Sequence, residues 1–150
     1  MSPDGRERTH SASPEETLAV GERLGTRIAG RAREGVVVLL EGPLGAGKTV
    51  IAKGVARALG VTEPVISPTY TIISEYPAGE TRLYHVDLYR IEGRDQMENL
   101  GLEDILRGNG IVLVEWGEKL APGAAGAHTM VSISIAEDGG RDILVEDRAS

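Results

Sequence analysis

Residues 36–60, VVVLLEGPLGAGKTVIAKGVARALG, constrain this chain more than any other stretch. Val36 to Leu40 is an apolar run rich in β-branched residues, the composition of a strand buried on both faces. Gly42-Pro43-Leu44-Gly45-Ala46-Gly47-Lys48-Thr49 then fits G-x-x-x-x-G-K-[ST]. Val50, Ile51, Val55 and Leu59 follow at helical spacing, and Gly60 stands where a helix would stop. Strand, glycine loop and helix in that order are the context of a phosphate-binding P-loop. Glycines let successive backbone N–H groups turn inward onto phosphate oxygens. The helix start adds unpaired N–H groups and a positive dipole end. Lys48 brings a mobile charge to the β- and γ-phosphates, and the Thr49 hydroxyl is a ligand for Mg²⁺. The ATP-binding set read from this stretch is Gly42, Gly45, Ala46, Gly47, Lys48, Thr49 and Val50.

The remainder of the chain limits what such a loop can serve. Its 150 residues suit one domain, and a chain of that size buries enough surface for a real core. Phenylalanine is absent and aromatics are 3%, so Leu, Ile, Val and Ala must fill that core. There is no cysteine, which removes disulfides, thiolate metal sites and thiol nucleophiles. No apolar run has the length of a membrane span, and the N-terminus lacks the apolar stretch of a secretory signal. The expected compartment is the cytoplasm, with no membrane partner. A net charge of −7 argues against a large surface that grips nucleic acid directly. Part of the acidic excess lies between Val86 and Glu118. It reads either as a solvated helix face or as a docking face for a more basic protein.

Taken in order, residues 1–12 are polar and small and read as a disordered tail ahead of a single domain over 13–150. Ser13-Pro14-Glu15-Glu16 is a capping box with proline at the first helical position, opening a helix expected from about Pro14 to Arg33. Beyond the P-loop helix, Pro64 and Pro68 mark a loop. Tyr70 to Tyr76 and Thr81 to Leu88 read as an antiparallel hairpin around a Pro77–Glu80 turn, with Leu83, His85 and Asp87 on one face. Asp95 to Arg107 reads as helical with a break at Gly101. Ile111 to Trp116 is a strand of the Walker B kind, apolar and ending in a carboxylate. Met130 to Ala136 and Asp142 to Glu146 are two further strands. The resulting fold class is α/β: a three-layer P-loop NTPase-like fold with a mixed, mostly parallel central sheet.

A P-loop ATPase needs a carboxylate near its Thr to hold Mg²⁺ or its waters, and a group to orient the attacking water. Asp87 and Glu115 stand at expected strand ends, where sites lie in open α/β sheets. With Lys48 they are the candidate catalytic residues, and with Thr49 the candidate metal ligands. Thr69, in Ser67-Pro68-Thr69-Tyr70, lies where nucleotide-sensing loops lie in P-loop proteins. Trp116 should face away from the Glu115 carboxylate by strand alternation, which suits core packing. A strand end is also a rim that a partner could cover. His85 reads as packing or hydrogen bonding. His10 and His128 carry no assignment.

With these residues in view, the chain resembles the TsaE family, the small bacterial P-loop ATPases of tRNA threonylcarbamoyladenosine biosynthesis. The resemblance rests on Gly42–Thr49, Ser67-Pro68-Thr69-Tyr70-Thr71, His85-Val86-Asp87-Leu88-Tyr89-Arg90, and Val114-Glu115-Trp116 followed by Glu118 and Leu120. It implies slow, Mg²⁺-dependent ATP hydrolysis to ADP. It also implies docking on TsaD and TsaB, which transfer threonylcarbamoyl to the adenosine beside the anticodon, so that tRNA is reached only indirectly. Thr49 and Glu115 match the family's Mg²⁺ ligands and Asp87 an essential acid. Pro43 departs from the family's usual aspartate, and Gly117 from its usual proline. Two other classes fit the bare motif. One is a small-molecule kinase, which would use Arg90 and Arg94 as lid arginines. The other is a non-catalytic nucleotide-sensing module.

Overall fold

A computed structural model describes residues 5–149 of the chain. Its strands are β1 (Arg6–Ser11), β2 (Val36–Glu41), β3 (Ile73–Ala78), β4 (Thr81–Asp87), β5 (Ile111–Glu115), β6 (His128–Ile135) and β7 (Arg141–Arg148). Its α-helices are α1 (Pro14–Ala29), α2 (Lys48–Ala58), α3 (Arg94–Glu98) and α4 (Leu102–Arg107). The seven strands form one sheet in the order β1-β7-β6-β2-β5-β4-β3. Strands β6, β2, β5 and β4 are mutually parallel, while β7, β1 and β3 join by antiparallel pairing at the two sides. Strands β1, β2, β4, β5 and β6 thus run one way, so the sheet is mixed and mostly parallel, as expected.

Side-chain alternation divides the interior into two cores. Val36, Val38 and Leu40 of β2 and Ile111 and Leu113 of β5 pack under α1 and α2. Val37, Leu39, Val112 and Val114 point the other way, toward Leu102 of α4, Ile91, Met97 and Leu120. Both central strands are covered on both faces, which is why they read as unbroken apolar runs. The helices α1 and α2 cross at two glycines. A Cβ on Gly21 would stand 2.3 Å from the Ile51 carbonyl oxygen, and one on Gly54 2.3 Å from that of Leu18. The crossing is therefore a backbone-to-backbone contact that seats α2, and with it the P-loop.

The capping box at α1 forms: the Ser13 hydroxyl accepts from the Glu16 N–H at 3.2 Å, and the Glu16 carboxylate accepts from the Ala12 N–H. The helix ends at Ala29, short of Arg33, and a 3₁₀ turn at Ala32–Glu34 completes the connection. The hairpin turn is only Gly79-Glu80, so Pro77 lies within β3; an edge strand tolerates the missing donor. Strand β3 begins at Ile73 rather than Tyr70, because the Ile72 N–H returns to the Pro68 carbonyl at 2.5 Å and Ile72 adopts φ 71°.

The largest departure is at the N-terminus. Residues 1–4 of the expected tail lie outside the described residues, but Arg6–Ser11 is not a tail; it is an edge strand paired along its length with β7. It has almost no apolar residue, so composition points to disorder. What secures it is a ladder of backbone hydrogen bonds on an existing sheet edge, with ion pairs from Arg6 to Glu146 and from His10 to Asp138 and Asp142. None of the described helices is long and apolar enough to cross a membrane.

Candidate active site

The site forms where β2, β5 and β4 end together. In the sheet register Leu40 pairs with Glu115, and Glu115 with Asp87, so the two carboxylates stand on adjacent strands, about 4.8 Å apart at the backbone, on the face that carries α2. The P-loop runs from β2 into α2 across these ends. Its last glycine, Gly47, caps α2 at φ 115°, a conformation that favours glycine, and the helix opens at Lys48 with its first N–H groups unpaired by any capping side chain. An open cleft of about 340 Å³ lies between the loop and the strand ends. Gly45, Gly47, Lys48, Thr49 and Val50 line it from the loop side, and Thr69, Asp87, Glu115 and Trp116 from the other.

Lys48 is only 5% exposed. Its ammonium donates to the carbonyls of Gly42 at 2.5 Å and Pro43 at 3.0 Å, and sits 4.0 Å from the centroid of the Trp116 ring. Burial pushes the Lys48 pKa down, against the upward pull of Glu115, Glu118 and Asp87. The loop's own carbonyls thus occupy the donors that phosphate oxygens would accept. The Thr49 hydroxyl lies 3.1 and 3.0 Å from the two oxygens of Glu115. Asp87 Oδ2 accepts from the Thr69 hydroxyl at 2.8 Å and the Ser67 hydroxyl at 3.3 Å, and Oδ1 accepts from the Tyr89 N–H at 2.9 Å. Both carboxylates are almost wholly buried.

Among the described residues no group of three or more His, Cys, Asp or Glu has the spacing to hold a metal ion. Mg²⁺ in a phosphate site does not need one, since it keeps waters and takes phosphate oxygens beside one or two hard protein oxygens. Thr49 and Glu115 converge as such a pair and fit it; Asp87 has no bond to Thr49 and stands one strand further on.

Trp116 departs from the alternation rule. Strand β5 stops at Glu115, and Trp116 takes φ 62°, with its N–H bonded to the Leu40 carbonyl at 3.0 Å. That left-handed turn swings the indole back to the side of the carboxylate, against Lys48 and, at 5.1 Å between centroids, Tyr89. A non-glycine residue in this region is a mark of functional sites. Sequence reasoning also passed over Arg141. Its guanidinium donates to the carbonyls of Ala46 at 2.9 Å and Gly45 at 3.2 Å and so braces the P-loop from the start of β7. No local pattern in the chain signals a contact across so many residues. The two arginines of the kinase reading do not meet at the cleft: Arg90 lies over the Tyr70 ring at 5.1 Å, and Arg94 lines a separate groove beside α3 and α4.

The chain and its fold are similar to known proteins. The sequence profile of the family described as "Threonylcarbamoyl adenosine biosynthesis protein TsaE" matches residues 11–143. The chain is 43% identical over 133 residues to the tRNA threonylcarbamoyladenosine biosynthesis protein TsaE of Bacillus subtilis, covering 89% of this chain and 80% of that protein. It is 39% identical over 145 residues to the protein of the same name from a Nostoc species, covering 94% and 86%. Its fold is similar to the crystal structure of Bacillus subtilis YdiB with a TM-score of 0.73 and 36% identity, over 97% of this chain and 86% of that one. With the family profile over most of its length and relatives of this identity, the chain belongs to the TsaE family.

Proposed function

We propose that this chain binds and slowly hydrolyses ATP with Mg²⁺, in the cytoplasm, to support threonylcarbamoyl transfer to the adenosine beside the anticodon of tRNA, acting with TsaD and TsaB. A role in tRNA threonylcarbamoyladenosine biosynthesis follows from the family. The observation that carries the ATPase reading is the convergence of the α2 N-terminus, Lys48, Thr49 and Glu115 on one cleft. Lys48 and the loop N–H groups bind the phosphates; to do so Lys48 must leave the carbonyls of Gly42 and Pro43. Thr49 and Glu115 hold Mg²⁺, which when bound neutralises charge on the phosphates. Asp87, kept in place by Thr69, Ser67 and the Tyr89 N–H, is the acid assigned to orient the attacking water. Exchanging either acid for alanine should lower hydrolysis at least about tenfold, since water orientation and metal placement are worth several kcal/mol. Parent-like rates in both folded variants would remove the assignment.

The partner reading has its own support. Among the described residues the exposed large apolar side chains are Leu44, Ile66, Tyr70, Tyr89 and Ile135, and the first four belong to the P-loop, the loop between α2 and β3, and the segment after β4. A protein covering them would close over the nucleotide. The groove beside α3 and α4, about 960 Å³, carries Glu98, Glu103 and Asp104 on its rim and adds acidic surface on the same segment. The deciding experiment measures ATPase rate against TsaD and TsaB concentration, with a gel shift on tRNA alone. Stimulation without direct tRNA binding supports the proposal. Submicromolar binding of tRNA by the isolated chain, or indifference to the two proteins, overturns the partner assignment. Stoichiometric ADP release without an added acceptor separates the ATPase from the kinase.

A further inference from the structure

His85 lies one pleat below Asp87 on β4, on the same face, and is wholly buried. Its Nε2 is 2.6 Å from Glu115 Oε2. Its Nδ1 is buried with no hydrogen-bond partner among the described residues. A carboxylate oxygen accepts, so the ring nitrogen 2.6 Å from it is the donor. The proton therefore sits on Nε2, and His85 donates to Glu115. His85 donates to Oε2 alone, while the single Thr49 O–H is shared between Oε2 at 3.0 Å and Oε1 at 3.1 Å.

We infer that His85 is a positioning residue for the metal side of the site: by pinning Oε2 it fixes the rotation of the Glu115 carboxylate and leaves Oε1 as the oxygen for Mg²⁺ or its bound water. The inference rests on the metal-site reading above and adds to it. Its neighbours give His85 no route to the nucleotide. Leu113 and Ser74 flank it in register, and no path to solvent opens at the ring. A residue that acts only through Glu115 should set metal affinity and leave nucleotide affinity alone. Outer-shell partners of this kind are worth about 10- to 100-fold in metal binding.

The test uses the whole chain and two variants. In H85L the ring becomes an apolar side chain that cannot donate. In H85Q the amide nitrogen stands close to the place of Nε2. Three quantities are measured: ATP affinity in EDTA by calorimetry, Mn²⁺ affinity of the ATP-loaded protein by electron paramagnetic resonance, and the melting temperature of the free protein. The expected result is a loss of about tenfold or more in Mn²⁺ affinity for H85L, ATP affinity in EDTA unchanged within about twofold, and recovery of most of the loss in H85Q. If H85L does not fold, H85N replaces it, since its shorter amide falls short of Glu115. Equal losses in the glutamine and non-donating variants overturn the inference, as does a fall in metal-free ATP affinity that parallels the metal effect. A parent protein whose ATP binding ignores divalent metal overturns the metal site itself, and the role of His85 with it.

Discussion

At the scale of single residues the site is a set of side chains already holding one another. Lys48 is the clearest case. It is nearly buried, and every hydrogen bond it makes goes to backbone carbonyls of its own loop. Removing it leaves Glu115 and Asp87 their hydrogen bonds from Thr49, His85, Thr69 and Ser67, so Lys48→Ala should fold. Its ATP affinity should fall roughly 10- to 100-fold, the worth of a charge-assisted hydrogen bond of about 1.5–3 kcal/mol. Calorimetry that finds unchanged affinity in the folded variant refutes the assignment. Gly117 has a plain reason here. A Cβ at that position would come within 2.8 Å of the Leu39 Cβ, so this core has closed around the glycine.

At the scale of elements, two contacts position α2 and its sheet. The glycine crossing of α1 and α2 leaves no room for a methyl group against backbone oxygens. Gly54→Ala should destabilise the fold by roughly 1–3 kcal/mol, the cost of overpacking a tight core. A lower urea midpoint at constant slope is the expected observation, and an unchanged midpoint contradicts the contact. The second contact holds the edge strand β1. His10 lies between Asp142, 2.9 Å from Nδ1, and Asp138, 3.0 Å from Nε2. The Asp142 hydrogen bond and then the Asp138 charge raise the His10 pKa; the Gly140 N–H and then His10 lower that of Asp138. For His10, stabilisation is full below its ordinary pKa of about 6.5 and is lost as pH rises through the raised value. For Asp138 it is present above its ordinary value near 3.9 and is lost as pH falls through the lowered one. The strand should therefore be held best in mildly acid solution and loosen toward alkaline pH. Amide protection factors of Arg8 to His10, corrected for intrinsic exchange, should fall across that rise and lose their pH dependence in His10→Ala. Flat profiles in the parent would show that the ion pairs do not hold the strand.

The whole chain carries a net charge of −7, and among the described residues Leu44, Ile66, Tyr70 and Tyr89 expose apolar side chains in the loops around the cleft. Its surface is suited to a basic protein partner better than to RNA. Ile66→Asp and Tyr70→Asp alter exposed side chains that do not line the cleft. They should abolish most of the stimulation by TsaD and TsaB while leaving intrinsic hydrolysis within about twofold, and complex formation by the parent should weaken as salt screens the charges. Stimulation that survives both substitutions places the docking face elsewhere.

The chain by itself determined the parts whose signals are local. A strand, a glycine loop and a helix in that order are legible because each has its own periodicity, and Thr49 and Lys48 follow from their place in the octapeptide. Asp87 and Glu115 were legible as strand ends, since alternation and an apolar run both stop at a carboxylate. What only the tertiary structure decided depends on neighbours distant in sequence. Strand β1 exists because β7 offers an unpaired edge, which no property of RERTHS reveals. Trp116 faces Lys48 because β5 ends one residue sooner than its pattern suggests and the chain turns left-handed there. Arg141 on the P-loop and His85 on Glu115 are contacts made by sheet register and packing. Local sequence sets which elements can form; the pairing of those elements sets which side chains meet.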